Sequence, residues 1–224
     1  MAKDTRTRLI ETTARLLQHR GYHGTSLNDI LEASGAPRGS LYFHFPGGKD
    51  ELAIEATRGA VDLATRELQE ALAQARTPAQ GVRAYVDAAA RLLRETDYTF
   101  GCPVAPVILD AAGDVEDLAG LCKQAFRTWA EMLCQAFVAA GMPARRADAL
   151  ALLVIAAIEG MLLLARAERD CAALTTVAAE LEAIIAAALP RRRRGVAADS
   201  SGARRAKGGR PDSQRVLKPQ MNTD

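Results

Sequence analysis

Apolar residues recur every three to four positions along most of the chain, and runs that alternate as in a β-strand are nearly absent. This period predicts amphipathic helices, because it places the apolar side chains on one helical face. The predicted helices span residues 5–20, 49–75, 78–94, 114–140, 144–169 and 174–189, with two short helices within 26–45 and a short irregular helix ending near 112. We therefore expect an all-α protein.

Residues 25–49 contain the two short helices and a tight break between them. Ser26 is a good N-cap, and Asp29 follows it at the spacing of a capping box. Gly35 can adopt the positive φ that ends the first helix, and Pro37 suits the first turn of the second. Such a pair forms either a DNA-binding helix-turn-helix or an ordinary αα-hairpin within a helical core. The spacing alone leaves both interpretations open.

The second short helix has two different faces. Leu41 and Phe45 lie four residues apart and form an anchoring face. Gly39, Ser40 and Phe43 point away from it at about 100° per residue. Because so short a helix cannot bury itself, neighbouring elements must hold it, and its second face can contact a partner.

The residues of this stretch resemble the DNA-binding domain of the TetR family of bacterial repressors. The resemblance begins upstream of the helix pair and is densest in the second helix; it is carried by Gly21-Tyr22, Thr25-Ser26-Leu27, Ile30, Ala33-Ser34-Gly35, the run from Gly39 to Phe45, and Lys49. The forms Ala36-Pro37-Arg38-Gly39 and Gly101-Cys102-Pro103-Val104 resemble the subgroup named for the LmrA and YxaF repressors.

The resemblance implies that the partner is a double-stranded DNA operator. Contacts to the DNA backbone are expected from the start of the first short helix, the flank of the second and the helix that follows, namely Thr25, Ser26, Tyr42, His44 and Lys49. Base recognition is expected from Arg38, Gly39, Ser40 and Phe43. Arg38 can pair with guanine, Gly39 allows close approach of the backbone, and Phe43 can pack on a thymine methyl. Pro37 replaces a serine of many relatives, so that side chain's phosphate contact does not transfer.

Three regions follow from these patterns. Residues 1–62 are the expected DNA-binding domain, residues 63–189 a helical ligand-binding and dimerisation domain, and residues 190–224 a disordered basic tail. The tail begins with four arginines, Arg191 to Arg194. They could hold phosphates non-specifically or simply keep the protein soluble.

Charge is unevenly distributed, although the net charge is only +2. Residues 1–50 carry 7 basic and 5 acidic side chains, residues 51–189 carry 12 and 19, and residues 190–224 carry 10 and 3. An acidic body between two basic ends fits a protein that touches a polyanion only at specific places. The alternative is a solvated surface with a basic tail.

The candidate chemistry argues against an enzyme and against a metal site or cofactor. The four cysteines form no CxxC pair, and all three histidines lie before residue 45. No Ser/His/Asp, Cys/His or paired-carboxylate arrangement stands out in the apolar body. Unpaired cysteines and the charged residues 3–11, which do not resemble a signal peptide, predict a cytoplasmic protein.

The segment 150–165 is apolar enough to raise three interpretations. A membrane span is disfavoured because the segment is short and Glu159 and Gly160 interrupt it. Its small residues suit a helix of a dimer interface, which the family resemblance also implies, but the helix could also be monomer core. The interface residues that we predict are Leu153, Ala157, Gly160, Leu164, Leu181 and Ile185.

The body is the expected sensor of an unidentified, apolar small-molecule inducer. Its candidate pocket residues are mainly aromatic or aliphatic, and each could equally belong to the core: Tyr85, Leu92, Cys102, Val107, Phe126, Trp129, Leu133 and Phe137. The sequence thus favours a homodimeric, ligand-released repressor. A non-specific nucleic-acid binder driven by the tail is the alternative.

Overall fold

The fold is described from a computed structural model that covers residues 4–111 and 113–190. Within these ranges the chain forms nine α-helices and no strand, which confirms the all-α prediction. The helices are α1 (Thr5–Arg20), α2 (Leu27–Ser34), α3 (Arg38–His44), α4 (Gly48–Gln74), α5 (Pro78–Glu95), α6 (Ala105–Ala111), α7 (Glu116–Ala139), α8 (Ala144–Glu168) and α9 (Ala172–Ala188). The predicted basic tail, apart from Pro190, lies outside the described residues.

Local capping explains where the first helices begin and end. Ser26 accepts a hydrogen bond from the Asp29 amide, and the Asp29 carboxylate accepts one from the Ser26 amide, so the capping box is present. Gly35 ends α2 at φ +63°, in the left-handed region that favours glycine. Pro37 is the residue before α3, one position earlier than the sequence predicted.

The first three helices share a small hydrophobic cluster with the start of α4. It consists of the buried residues Leu9, Ile30, Ala36, Leu41, Phe45 and Leu52. A larger cluster contains residues from every helix from α4 to α9, and also from the second half of α1. The helix α4 contributes to both clusters. A displacement of α4 would therefore change its packing against the first three helices.

Close helix packing defines the body. α5 lies against α4 so tightly at Gly81 that an added Cβ would stand 2.9 Å from Leu72 Cα, which leaves no room for a side chain. α7 packs on α8, and α9 packs on both α5 and α8. α8 is long and apolar enough to cross a membrane by length and composition, yet one of its faces is part of the larger cluster.

Candidate functional site

The helix α3 is anchored on one side and open on the other. Leu41 and Phe45 are fully buried, as the sequence predicted, whereas 80% of Phe43 is exposed. A Cβ placed on Gly39 would have no atom within 4 Å, and Arg38 is exposed beside it. The exposed side of α3 thus presents the Arg38 cation, the accessible backbone at Gly39 and the Phe43 ring.

Arg38 is held by a residue that the sequence analysis did not single out. Its guanidinium donates a hydrogen bond to Asn28 Oδ1 on α2. The bond joins the two helices across their turn and orients the Arg38 side chain. Asn28 lies one turn before Glu32 on a mostly polar face, and no local pattern distinguishes it from an ordinary solvated residue.

The start of α2 differs from the sequence expectation at Thr25. The Thr25 side chain is fully buried, and its hydroxyl donates to the Gly21 carbonyl at 2.8 Å. That hydroxyl secures the turn after α1 and is not presented to an outside phosphate. Ser26 is exposed, with its hydroxyl in the capping box of α2.

Lys49 is partly buried at the beginning of α4. Its Nζ atom lies 3.9 Å from the centre of the Tyr22 ring, and the Tyr22 hydroxyl donates to Asp50. Burial lowers the pKa of Lys49, and burial together with Asp50 raises that of Tyr22. This contact fixes the Lys49 cation at the end of the α3–α4 turn. On α3 itself, Tyr42 is exposed and His44 is half-buried.

A cavity of about 310 Å³ lies inside the body. Five of the eight predicted pocket residues line it: Tyr85, Leu92, Cys102, Trp129 and Leu133. The other three do not line this cavity: Val107 and Phe137 belong to the larger core cluster, and Phe126 packs edge-on against Trp129. Three polar residues that the sequence did not predict also line the cavity, namely Gln18, Glu67 and Glu159.

The polar groups of the cavity interact with one another. Burial raises the pKa of Glu159, and the neighbouring Cys102 thiol partly offsets that rise. Burial and Glu159 raise the pKa of Cys102 well above its usual value, so the thiol stays protonated. Tyr85 is also raised in pKa, by burial first and then by Cys102, Glu67 and Glu159.

The segment between α5 and α6 connects the cavity to α1. Gln18 Nε2 donates to the Gly101 carbonyl at 2.5 Å, and Gln18 itself lines the cavity. At the far end of α6, the His23 amide donates to Asp110 and the His23 ring lies 2.7 Å from Asp114. Hydrogen bonds therefore join the cavity-lining segment to α1, and α6 and the residues after it to the turn between α1 and α2.

Two helices present an exposed apolar face on the body. Leu153 and Leu164 are each 49% exposed, and this face also includes Leu152, Leu163, Gly160, the partly buried Ala157 and, on α9, Ile184. Leu181 and Ile185, predicted for the same face, are instead buried in the chain's own core. The sequence does not distinguish the buried face of α9 from the exposed one, because that helix is rich in alanine and its apolar residues do not mark a single face.

Two protein-family models match the chain. Residues 9–56 match the model described as bacterial regulatory proteins, tetR family, and residues 78–180 match the LmrA/YxaF-like transcriptional regulator C-terminal domain. The second match includes α5, α7 and α8, which supply most of the residues that line the cavity.

Relatives match over most of their length. An uncharacterized HTH-type transcriptional regulator of Mycobacterium tuberculosis strain H37Rv, Rv0196, is 37% identical over 84% of this chain and 98% of its own. The HTH-type transcriptional regulator LmrA of Bacillus subtilis is 34% identical over 72% and 86%. The crystal structure of a TetR transcriptional regulator from Chloroflexus aurantiacus superposes with a TM-score of 0.70 at 27% identity, covering 83% of this chain and 96% of that one.

Proposed function

The chain belongs to the TetR family of bacterial transcriptional regulators, and we propose that it is a repressor that binds a palindromic operator as a homodimer. An apolar small molecule in the cavity would release it. The observation that carries the proposal is the anchored helix α3, whose outer surface is open while Leu41 and Phe45 hold it in place.

The residues that would contact DNA fall into two groups, one for the bases and one for the DNA backbone. Arg38, Gly39, Ser40 and Phe43 would meet base edges in the major groove, since they stand on or beside the open side of α3. The exposed or half-exposed positions around them would hold the backbone: Ser26, Tyr42, His44 and Lys49. Thr25 would act indirectly by fixing the turn in front of α2.

Dimerisation would pair the exposed faces of α8 and α9 with those of a second chain. The leucines on α8 are too exposed to contribute fully to the monomer's core, and Gly160 lets a neighbouring helix approach closely. Burying both copies of this face would place two α3 helices on one side of the dimer. Such a pair reads two half-sites about 34 Å apart.

The inducer would act on the spacing of those helices. A ligand in the cavity presses on α4 and on the segment that carries Gly101 and Cys102. A shift of that segment would move α1 through the hydrogen bond between Gln18 and Gly101. A shift of α4 would move the small hydrophobic cluster that holds α3. A ligand with a higher affinity for a dimer whose two α3 helices do not match the half-site spacing would favour that dimer and so release the DNA.

The test is selection of bound duplexes from a random DNA pool at physiological salt, with the full chain and with a chain truncated after Leu189. The proposal expects both proteins to recover the same inverted repeat. If the truncated chain loses binding and the full chain recovers no motif, the alternative function, a non-specific nucleic-acid binder driven by the basic tail, replaces it.

Histidine in place of Phe43 is expected to reduce the preference for thymine at one position of the half-site. The ring would lose apolar contact with the thymine methyl, a loss of about 1 kcal/mol or roughly fivefold in affinity. The preference for thymine is measured by competition binding between operators that carry thymine or uracil at each position. Leucine at the same position keeps an apolar contact and should keep the preference; an unchanged preference in the histidine variant contradicts the contact.

A further inference from the structure

The cavity contains acidic groups that a purely apolar inducer would leave unused. Glu159 lines it from α8, among the leucines, isoleucines and alanines of that helix. Glu67 lines it from an exposed position on α4 and so stands at its opening. Among the described residues that line this cavity there is no lysine, arginine or histidine, so its walls carry negative charge only.

We propose that the ligand of this cavity is a small organic cation, an amine or ammonium compound with an apolar or aromatic body, whose charged nitrogen is held by Glu159, with Glu67 adding negative charge at the opening. This inference rests on the proposed function, because it takes the cavity to be the inducer site. It adds the chemical class of the inducer.

Glu159 has no cation among the described residues to balance its charge. Within the described part of the chain it forms no ion pair, and its polar neighbour is the thiol of Cys102. A carboxylate removed from water costs free energy unless a cation or hydrogen-bond donors compensate it, and a thiol is a weak donor. The burial that raises the pKa of Glu159 is the same cost. A bound ammonium group would offset it, which links the carboxylate to ligand affinity.

The cavity also has an aromatic wall, formed by Tyr85 and Trp129. Tyr85 is close enough to both Glu67 and Glu159 for each to raise its pKa. Across the described residues its hydroxyl has no hydrogen-bond partner, although the ring is largely enclosed. Trp129 is fixed in the same wall by a 2.8 Å hydrogen bond from its indole to Thr65. Aromatic rings attract cations, and a free hydroxyl can accept from an ammonium group.

A cationic ligand suits this cavity better than an anionic or a neutral one. An anionic ligand, such as a fatty acid, would meet two carboxylates, because the Arg166 side chain beside Gly101 lines the adjoining cavity and not this one. A neutral ligand would leave the Glu159 carboxylate without its opposite charge. The remaining lining residues are mostly aliphatic and aromatic, which suits an apolar body attached to the charged group.

Three probes with one apolar body and different head groups test the proposal: phenylbutylamine, phenylbutanol and phenylbutyrate. Binding to the full-length protein without DNA is followed by the fluorescence of Trp129, the only tryptophan in the chain and a residue of the cavity wall. We expect the amine to bind at least about tenfold more tightly than the alcohol, and the acid most weakly, because a charge-assisted hydrogen bond contributes that much.

The variants separate charge from shape. Glu159→Gln keeps the size of the side chain and should remove most of the preference for the amine. Glu67→Gln, at an exposed position where folding is not at risk, should reduce it by several-fold. Glu70→Gln, one turn further along α4, removes the same charge outside the cavity and should leave the preference intact.

Equal affinity for the three probes, tighter binding of the alcohol or the acid, or no binding of any probe would overturn the cationic ligand. The same holds if Glu159→Gln and Glu67→Gln leave the preference unchanged. These outcomes concern the cavity alone, since no DNA is present in the measurement. Failure of the repressor function would appear separately, in the selection of operator DNA.

Discussion

Glutamate in place of Gly39 is expected to abolish operator binding while leaving the protein folded. A Cβ at this position meets no atom within 4 Å and Gly39 is exposed, so a longer side chain can extend into solvent. Replacing a helical glycine by a good helix former should even stabilise α3 by about 0.5–1 kcal/mol. In the DNA groove, however, the new side chain fills the space that the backbone needs, and its charge faces phosphates. Specific affinity should fall by about a thousandfold, to the non-specific level.

The measurement pairs operator titration with thermal unfolding of the same samples. Gly120 gives a matched control, because it is also an exposed helical glycine without neighbours, and it lies on α7 in the body. Gly120→Glu adds the same charge and should retain operator binding. If Gly39→Glu retains it too, α3 does not enter the groove; a large fall in melting temperature would show that Gly39 has a structural role instead.

The elements near the N-terminus were predictable because their signals are local. Ser26 and Asp29 are three residues apart, and Gly35 alone provides the left-handed φ, so neither depends on distant parts of the chain. The anchoring face of α3 follows from two residues four positions apart, Leu41 and Phe45. Spacing of this kind determines which side chains share a helical face, and the structure confirms that assignment.

The partner of each face was harder to predict. In α9 alanines surround the larger residues, so Leu181 and Ile185 looked equally suited to a surface between chains and to the core that contains them. The same difficulty applies to Phe137, which belongs to the core although it resembles a cavity residue. Helical spacing orders residues around an axis, but tertiary packing decides what lies opposite.

The place of Glu159 in the cavity could not be predicted from its neighbours in the sequence. In the sequence it is a charge that interrupts an apolar stretch and argues against a membrane span. In the structure it lines the cavity beside Cys102, which lies 57 positions earlier in the chain. No local pattern brings these two residues together. The polar chemistry of the cavity therefore depends on the packing of α8 against the segment between α5 and α6.

Glutamate at both Leu153 and Leu164 is expected to convert the protein into a monomer. Both side chains are about half exposed in the single chain, so the change leaves the buried core residues of α8 in place. In a dimer the same positions would bring four carboxylates into an apolar contact, which is strongly unfavourable without compensating cations. The loss of the second recognition helix should then weaken operator binding by about a hundredfold or more, because linked half-sites raise affinity by that factor.

Sedimentation equilibrium and operator titration at one salt concentration measure this effect together. The control is Ala73→Glu with Ala84→Glu, which adds the same charge at exposed positions of α4 and α5 and should keep both the dimer and the affinity. A monomeric double variant with undiminished affinity would mean that each chain binds DNA independently. A variant that remains dimeric would place the interface elsewhere. A monomer whose affinity falls while its melting curve stays cooperative would tie operator recognition to the paired faces of α8 and α9.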